Sequence, residues 1–383
     1  MDIFKLIIIK TIIGLQNFIL TRLQRFFFDC SNNEDCSNIC IYRIANIGDT
    51  LCAIPSIYKI REKYPDAKIT LLTSPGKRGA IGASKILSDE KWIDNIDEYY
   101  TDDIGSWHNK KVFFKTQKEK NYDCFIQLPS EATNFRTQIR NLLFVKMLGV
   151  KAVTGFYIST TTLFPKYQFK NMLCPNEVER LFKNLFLQTS MHIQFPITFI
   201  AQDKKNVIEN LKSNKILHCD KVLVISFSGK ASVKEWLPEG FNEIARRWIT
   251  TGGKVIVIGG KEEIAKAEVI IDGLPKDKSY SFCGKLSIKQ SMYLLGQTMF
   301  LLTIDTGTAH MASVMGTPCI TLFSSYYFPH KWVAYGDKNT VIRHPLACSP
   351  CLKKECRYGK VAKCMKAITV DEVWHTMRRI LGD

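Results

Sequence analysis

The sequence predicts an α/β protein built from parallel sheets in two domains. Apolar runs typical of strands alternate with helical patterns along most of the chain, which is the arrangement of parallel-sheet domains. The chain has 383 residues, 46% hydrophobic and 23% charged, which is enough apolar material for two cores. We therefore divide it into an N-terminal segment with a linker (1–38), a first domain (39–205) and a second domain (206–383).

Residues 1–28 carry apolar side chains at spacings of three and four, interrupted by Lys5, Lys10, Arg22 and Arg25. The charge-free stretch from Thr11 to Thr21 is shorter than the roughly 20 residues that span a bilayer. We expect an amphipathic helix that lies in a membrane interface with its basic side chains on anionic headgroups. The alternative is a helix packed on the protein's own surface.

The first domain is predicted to contain five strands. Pro55 falls inside the first helical stretch, so that helix is expected to kink or to begin late. Ser159 to Cys219 is less regular, and only a helix over Asn176–Thr189 is assigned there. The predicted strands are Ile39–Ile44, Lys68–Thr73, Ile96–Tyr99, Cys124–Leu128 and Ala152–Gly155, with a further helix over Asn134–Leu148.

The second domain has a clearer alternation of elements. Its last helix is expected to begin at Thr369, which precedes Asp371 and Glu372 in a capping-box arrangement. The strands are predicted at Val222–Phe227, Lys254–Ile258, Tyr280–Phe282, 299–304 and 319–323, and the helices at Glu239–Thr251, Glu262–Ile271 and Ile288–Gln297.

The strand over 299–304 stops at Asp305, where the apolar spacing changes to that of a short helix. Gly316 and Pro318 end that helix. Such a turn presents unpaired backbone N–H groups and the positive end of a helix dipole to a ligand. It is therefore a candidate site for a diphosphate.

The formal charge of +17 comes from 53 Lys and Arg residues against 36 Asp and Glu residues. This excess favours anionic partners such as a membrane surface or a phosphorylated glycolipid. The chain has no zinc-finger spacing, RNP-type aromatic motif or basic-region heptad, so we expect no nucleic acid partner. No cleavable signal peptide is evident, and the expected location is cytoplasmic.

Three groups of residues together resemble glycosyltransferase family 9, the lipopolysaccharide heptosyltransferase family. The similarity extends from about residue 39 to the C-terminus, and the order and spacing of the groups make it specific. The groups are 41–51 (IYRIANIGDTL) continuing to 64–69 (YPDAKI); Ser228-Gly229 with 234–238 (KEWLP) and Gly259-Gly260; and 305–310 (DTGTAH) with 316–318 (GTP).

The resemblance implies a GT-B fold, in which two Rossmann-like domains with parallel sheets face each other across a cleft. The first domain would bind the acceptor and the second the nucleotide-sugar donor. Asp49 matches the residue regarded as the catalytic base of the family. Its position after Gly48, where a strand turns into a helix, suits a proton acceptor, and helix capping is the alternative role.

The donor site is expected in the second domain. Lys234 matches the donor-binding loop of the family, the alternative being a solvated lysine. Glu263 begins a helix, where the dipole favours acidic residues in any case. His310 is in the first turn of its helix, and a core or capping role is its alternative. The expected donor-binding residues are Ser228, Gly229, Lys234, Glu263, Asp305, Thr306, Gly307 and His310.

No metal is expected in catalysis, because the chain lacks an Asp-x-Asp sequence and Lys234 with a helix N-terminus would balance the diphosphate charge. A separate cluster with the spacing C-x2-C-x4-C-x7-C is a possible structural zinc site, with an iron–sulfur cluster as the second metal alternative. Free thiols and disulfides remain open as alternatives. The cluster consists of Cys348, Cys351, Cys356 and Cys364.

The predicted function is an inverting, metal-independent transferase that acts on lipopolysaccharide core or a related surface glycolipid, with ADP-heptose as the expected donor. It would be peripheral on the cytoplasmic face of the inner membrane. A family 9 transferase that uses another nucleotide sugar is the first alternative. A Rossmann-type oxidoreductase lacks support because no G-x-G-x-x-G follows a strand. A non-catalytic membrane-associated binding protein is the last alternative.

Overall fold

The computed structural model describes residues 2–28, 36–163, 173–186 and 192–382. It divides into two compact units. Unit 1 comprises Met1–Phe169 and Glu177–Thr198, and unit 2 comprises Lys170–Asn176 and Phe199–Asp383. The chain passes from unit 1 to unit 2 near residue 199, just before helix α7 (Ala201–Ser213). The sequence analysis did not predict this helix. The domain boundary predicted at 205/206 falls inside it.

Unit 1 contains a five-stranded, fully parallel sheet with the strand order β3-β2-β1-β4-β5, here called sheet 1. All five predicted strands are confirmed. Strand addition changes direction between β1 and β4, so the carboxyl ends of these two strands flank a topological switch point. The strands are β1 (Asn38–Ile44), β2 (Lys68–Gly76), β3 (Asn95–Tyr100), β4 (Cys124–Gln127) and β5 (Ala152–Thr154).

The helices of unit 1 follow the sequence signals for helix starts. Asn134 caps α5 by accepting a hydrogen bond from the Thr137 N–H at 3.0 Å. Pro55 does not delay α2, which begins at Ile47, so the expected late start is wrong. The helices are α1 (Asp2–Phe27), α2 (Ile47–Lys63), α3 (Ser84–Leu87), α4 (Trp107–Glu119), α5 (Phe135–Leu148) and α6 (Glu177–Phe186).

Helix α1 belongs to unit 1 rather than to a separate segment. One stripe of the helix, including Ile9, Ile13 and Leu20, is buried. The Asn17 side chain donates to Ile158 O at 3.0 Å and accepts from Ile158 N–H at 2.8 Å. The helix therefore packs on the protein, as in the alternative interpretation, while its opposite face remains exposed. By length and composition, residues Ile3–Phe27 could also cross a membrane.

Unit 2 contains a six-stranded parallel sheet with the order β11-β10-β9-β6-β7-β8, here called sheet 2. The switch point lies between β6 and β9, and the predicted strands are confirmed, whereas β11 was not predicted. The strands are β6 (Val222–Ser226), β7 (Lys254–Val257), β8 (Ser279–Ser281), β9 (Phe300–Ile304), β10 (Cys319–Leu322) and β11 (Asn339–Ile342).

The central strands β6, β9 and β10 are buried along their full length, as expected for a sheet covered by helices on both faces. Thr369 caps the last helix by accepting from the Glu372 N–H at 3.2 Å, as predicted. The remaining helices are α8 (Pro238–Thr250), α9 (Ile264–Ile271), α10 (Ile288–Leu295), α11 (Gly307–Met315), α12 (Lys363–Lys366) and α13 (Val370–Leu381).

A buried network of charges attaches α6 to sheet 1. The carboxylate of Glu177 accepts from Arg180 at 2.7 Å through both oxygens and from Arg43 at 3.1 Å. All three side chains are at most 3% exposed. Burial opposes the charge of Arg180, but the adjoining carboxylate of Glu177 more than offsets that cost and raises the pKa of Arg180. Glu177 therefore compensates two guanidinium groups at once.

Replacing Glu177 by Gln should lower the free energy of unfolding of unit 1 by roughly 3–5 kcal/mol, because the buried Arg180 would lose its paired carboxylate and the buried Arg43 the nearer of its two. Urea denaturation of the full chain measures this loss. Glu179→Gln is the matched control, since Glu179 lies two residues away and pairs with the exposed Lys183 at 3.4 Å. Equal stability of the two variants would contradict the role given to the network.

Candidate active site

The candidate base, Asp49, lies at the switch point of sheet 1. Strand β1 ends at Ile44, and α2 begins at Ile47, so Asp49 is in the first helical turn. Its carboxylate accepts from the Asn46 N–H at 3.4 Å, which is the reciprocal bond of a capping box. The side chain remains 26% exposed. Asp49 therefore both caps the helix and presents a carboxylate to solvent.

Arg43 fixes the surroundings of that carboxylate. Its guanidinium lies 3.5 Å from an oxygen of Asp49 and is 2% exposed. The same group donates to Leu128 O at 3.2 Å and to Pro129 O at 3.1 Å, the two carbonyls that follow β4. Arg43 thus bridges both sides of the switch point. Arg43 lies inside the motif that indicated the family, but no local pattern in the sequence indicated that it contacts Asp49.

Several of the expected donor-binding residues converge at the switch point of sheet 2. Gly229 follows β6, and a Cβ atom at its position would lie 3.3 Å from Thr306 Cγ2 and 3.4 Å from Ile304 Cδ1. The first distance is tighter than most contacts, so a side chain at this position would press on the end of β9, and glycine fits the close approach of the loop after β6. Ser228 precedes Gly229 in the same loop and is half-buried.

Lys234 meets Asp305 at this point. The Lys234 ammonium lies 2.6 Å from Oδ2 of Asp305 and donates to its backbone carbonyl at 3.3 Å. It also lies 5.5 Å from the ring centroid of Tyr326, which follows β10. The alternative of a freely solvated lysine is therefore wrong. Tyr326 is a neighbour that the sequence analysis missed, because only the fold brings the loop after β10 beside the loop after β6.

Helix α11 begins beside this ion pair. Thr306 caps it by accepting from the Thr308 N–H at 3.3 Å, and Gly307 is its first residue. The hydroxyl of Ser226, the last residue of β6, donates to that of Thr308 at 3.0 Å. His310 is buried in the helix rather than turned to solvent. The N-terminus of a nine-residue helix thus lies next to a lysine, which is an arrangement suited to a diphosphate.

Glu263 has a structural role in its own turn. Its carboxylate accepts from the Gly260 N–H at 2.6 Å, which closes the turn after β7. Strand β7 lies beside β6 on the side away from β9. Glu263 therefore lies after the strand that neighbours β6, and its contact with the donor stays a prediction.

A cavity of about 290 Å³ lies elsewhere in unit 2, against the edge strand β8. Tyr280, Cys283 and Lys285 are among its lining residues, and none of the expected donor-binding residues is. We assign the site to the switch point because a cation, a helix N-terminus and a close glycine converge there.

The cysteine cluster contributes to packing in unit 2. Cys364 is buried in the core, and its sulfur accepts from the Ser325 N–H at 3.3 Å. Burial raises the pKa of the Cys351 thiol. Within the described residues, no three His, Cys, Asp or Glu side chains are grouped so that they could hold a metal ion. All twelve cysteines in that part of the chain are free thiols, and zinc binding stays a prediction.

Comparison with known proteins identifies the relatives of this chain. Residues 112–362 match the family described as Glycosyltransferase family 9 (heptosyltransferase). The lipopolysaccharide core heptosyltransferase OpsX of Haemophilus influenzae is 25% identical over 319 residues, which are 80% of this chain and 84% of that protein.

Two solved structures share the fold. The glycosyl transferase family 9 protein of Veillonella parvula has a TM-score of 0.70 and 16% identity, over 91% of this chain and 98% of that one. The ADP-heptose lps heptosyltransferase II of E. coli has a TM-score of 0.64 and 16% identity, over 90% and 98%. The predicted GT-B fold class is confirmed, and the match over 112–362 shows that the chain belongs to glycosyltransferase family 9.

Proposed function

We propose that this glycosyltransferase moves a heptose from ADP-heptose to the core of a lipopolysaccharide or a related surface glycolipid, with inversion at the anomeric carbon. The names of its relatives support both substrates, because one is a lipopolysaccharide core heptosyltransferase and another an ADP-heptose heptosyltransferase. A different nucleotide sugar is the alternative donor. Competition of nucleotide sugars in a transfer assay separates the two.

The observation that carries the proposal is the position of Lys234 beside the first turn of α11. The ammonium and the helix N-terminus together favour a diphosphate and stabilise it further as it leaves. Asp305 holds Lys234 by a 2.6 Å ion pair, so we assign Asp305 a positioning role. Thr306 and Gly307 would present backbone N–H groups to the same oxygens.

In the proposed reaction, a hydroxyl oxygen of the acceptor attacks the anomeric carbon of the donor. The bond between that carbon and the diphosphate oxygen breaks, and the nucleoside diphosphate departs with the electron pair. Asp49 accepts the proton of the attacking hydroxyl. Arg43, whose guanidinium lies 3.5 Å from the carboxylate, orients it. No other proton acceptor is required.

The acceptor in this proposal is attached to a lipid, so the enzyme would act at the cytoplasmic face of the inner membrane as a peripheral protein. The exposed face of α1 supports such a location, because Phe4, Ile7 and Phe18 lie on it together with basic residues. The buried stripe and the Asn17 hydrogen bonds hold α1 against unit 1. We therefore propose that α1 lies in the interface and does not cross the bilayer.

Asp49→Asn should lower the rate of transfer by roughly 10²–10⁴, the usual contribution of a general base. Donor binding should be unchanged, since Asp49 is in unit 1 and the expected donor residues are in unit 2. A transfer assay and calorimetric titration with ADP measure the two effects. Asp66→Asn, an exposed aspartate of the same unit, is the control. Near wild-type turnover of the Asp49 variant would remove the base from the mechanism.

Lys234→Ala should weaken the binding of ADP at least tenfold and that of adenosine little, because its proposed partner is the phosphate charge. Calorimetric titration with both ligands measures the difference. Lys221→Ala is the matched control, since Lys221 is exposed next to the opposite, amino end of β6. If both ligands lose affinity equally, Lys234 supports the loop and does not contact the diphosphate.

Because Lys234 and α11 would neutralise the leaving diphosphate, transfer should continue at an unchanged rate in excess EDTA. The assay compares the initial rates of metal-free and Mn²⁺-supplemented enzyme. Activity that requires added Mn²⁺ would refute the metal-independent mechanism.

A further inference from the structure

Helices α1, α4 and α5 form one layer over a single face of sheet 1. The right-handed crossovers that lead from β3 to β4 and from β4 to β5 place α4 and α5 on the same face. Phe144 of α5 packs against Phe113 and Phe114 of α4, with ring centroids 6.4 and 5.9 Å apart. Lys146 of α5 donates to Phe27 O at the end of α1 at 2.7 Å. The order across the layer is therefore α4, α5, α1.

The outer surface of this layer is rich in exposed apolar side chains. On α5, Leu143 and Met147 are 48% and 61% exposed and line a shallow apolar groove. On α4, Trp107 is 82% exposed. Exposed apolar side chains therefore occur on all three helices of the layer, including two that the sequence analysis did not associate with α1. Exposed apolar side chains grouped on one layer of helices indicate an interaction site.

The same three helices concentrate the positive charge of the chain. Within Ile3–Phe27, Trp107–Glu119 and Phe135–Leu148 there are eleven Lys or Arg residues and one acidic residue, Glu119. The basic residues alternate with the apolar ones along each helix, as Arg136 and Arg140 do before Leu143 on α5. The partner of this surface must therefore be both anionic and able to accept apolar side chains.

We propose that the outer surface of α1, α4 and α5, here called the basic apolar face, binds an anionic lipid bilayer. Its mixture of aliphatic residues, an exposed tryptophan and dispersed lysines and arginines is typical of interfacial membrane binding. A nucleic acid would complement the charge but not the apolar groups. The inference rests on the proposed membrane-bound acceptor and extends the contact from α1 to α4 and α5. Bilayer binding would hold unit 1, which carries Asp49, at the acceptor.

Trp107 provides an internal probe of this contact. It is the exposed tryptophan among six, all of which lie in the described residues. The full-length protein is titrated with phosphatidylcholine vesicles and with vesicles that also contain phosphatidylglycerol. Binding to the anionic vesicles should shift the tryptophan emission to shorter wavelength, and Trp107→Phe should abolish the shift while vesicles still sediment the protein. No shift in wild type despite sedimentation would exclude α4 from the contact.

Substitutions on α5 test the apolar part of the face. Leu143→Glu with Met147→Glu should weaken binding to anionic vesicles, measured by sedimentation, at least tenfold. Each change removes apolar area that the bilayer would bury and adds a negative charge that the anionic lipids repel. Ile264→Glu with Val269→Glu is the matched control in unit 2, at positions 44% and 55% exposed on α9. Equal binding by both double variants would overturn the proposal.

Substitutions on α4 test the charged part. Lys110→Gln with Lys111→Gln should weaken binding to anionic vesicles roughly tenfold to thirtyfold, since each basic residue near such a surface contributes to the attraction. The control is Lys204→Gln with Lys205→Gln, another exposed lysine pair, on α7 of unit 2. If both pairs weaken binding equally, net charge alone explains the attraction and the proposal fails.

Two further measurements distinguish lipid binding from a loss of transferase activity and from self-association. Transfer to a soluble acceptor fragment should be unchanged in the α4 and α5 variants, so a failure of the proposed transferase activity appears there and not in the vesicle assay. Light scattering in the absence of lipid reports on self-association. A wild-type dimer that Leu143→Glu with Met147→Glu dissociates would assign the face to a second copy of the chain and overturn the lipid proposal.

Discussion

The buried guanidinium of Arg43 connects the parts of unit 1 on which the proposed chemistry depends. It is on β1, contacts the carbonyls that follow β4 and pairs with Glu177 at the start of α6. These contacts join both strands of the switch point to a segment that returns to unit 1 only after residue 176. Arg43 also interacts with the charge of Asp49, at 3.5 Å. A single cation thus links the stability of the sheet to the environment of the candidate base.

Unit 2 contains a related arrangement that lies closer to solvent. Lys234 is partly exposed and Asp305 nearly buried, so the ion pair leaves one side of the ammonium accessible. The pair occurs where the loops after β6 and β9 approach each other, and Gly229 lies at that close approach. In unit 1 the Arg43–Asp49 pair lies at the switch point of sheet 1, and in unit 2 the Lys234–Asp305 pair lies at the switch point of sheet 2. A helix N-terminus adjoins each pair and favours negatively charged groups there.

Much of the excess positive charge of the chain lies in the three helices over one face of sheet 1. They contain eleven basic residues and two acidic residues, Asp2 and Glu119. Exposed charges of this kind cost a helix little, but the exposed Trp107, Leu143 and Met147 are not explained by solubility. Lys234 differs from this group of exposed charges, because it is a single residue whose position is fixed by tertiary contacts. The proposed attraction to a bilayer and the proposed binding of a diphosphate therefore involve different parts of this molecule.

The sequence by itself determined the alternation of strands and helices, the family and most of the candidate site, because periodicity, caps and short motifs are local properties of the chain. It also identified Asp49, Lys234 and the segment that begins at Asp305. The tertiary structure decided that Lys234 pairs with Asp305 beside Tyr326, that Arg43 links Glu177 to the candidate base Asp49, and that Glu263 closes its own turn. It also decided that α1 packs on unit 1 beside α5. Strand order and helix packing set these contacts, and neither is encoded in the spacing of neighbouring residues.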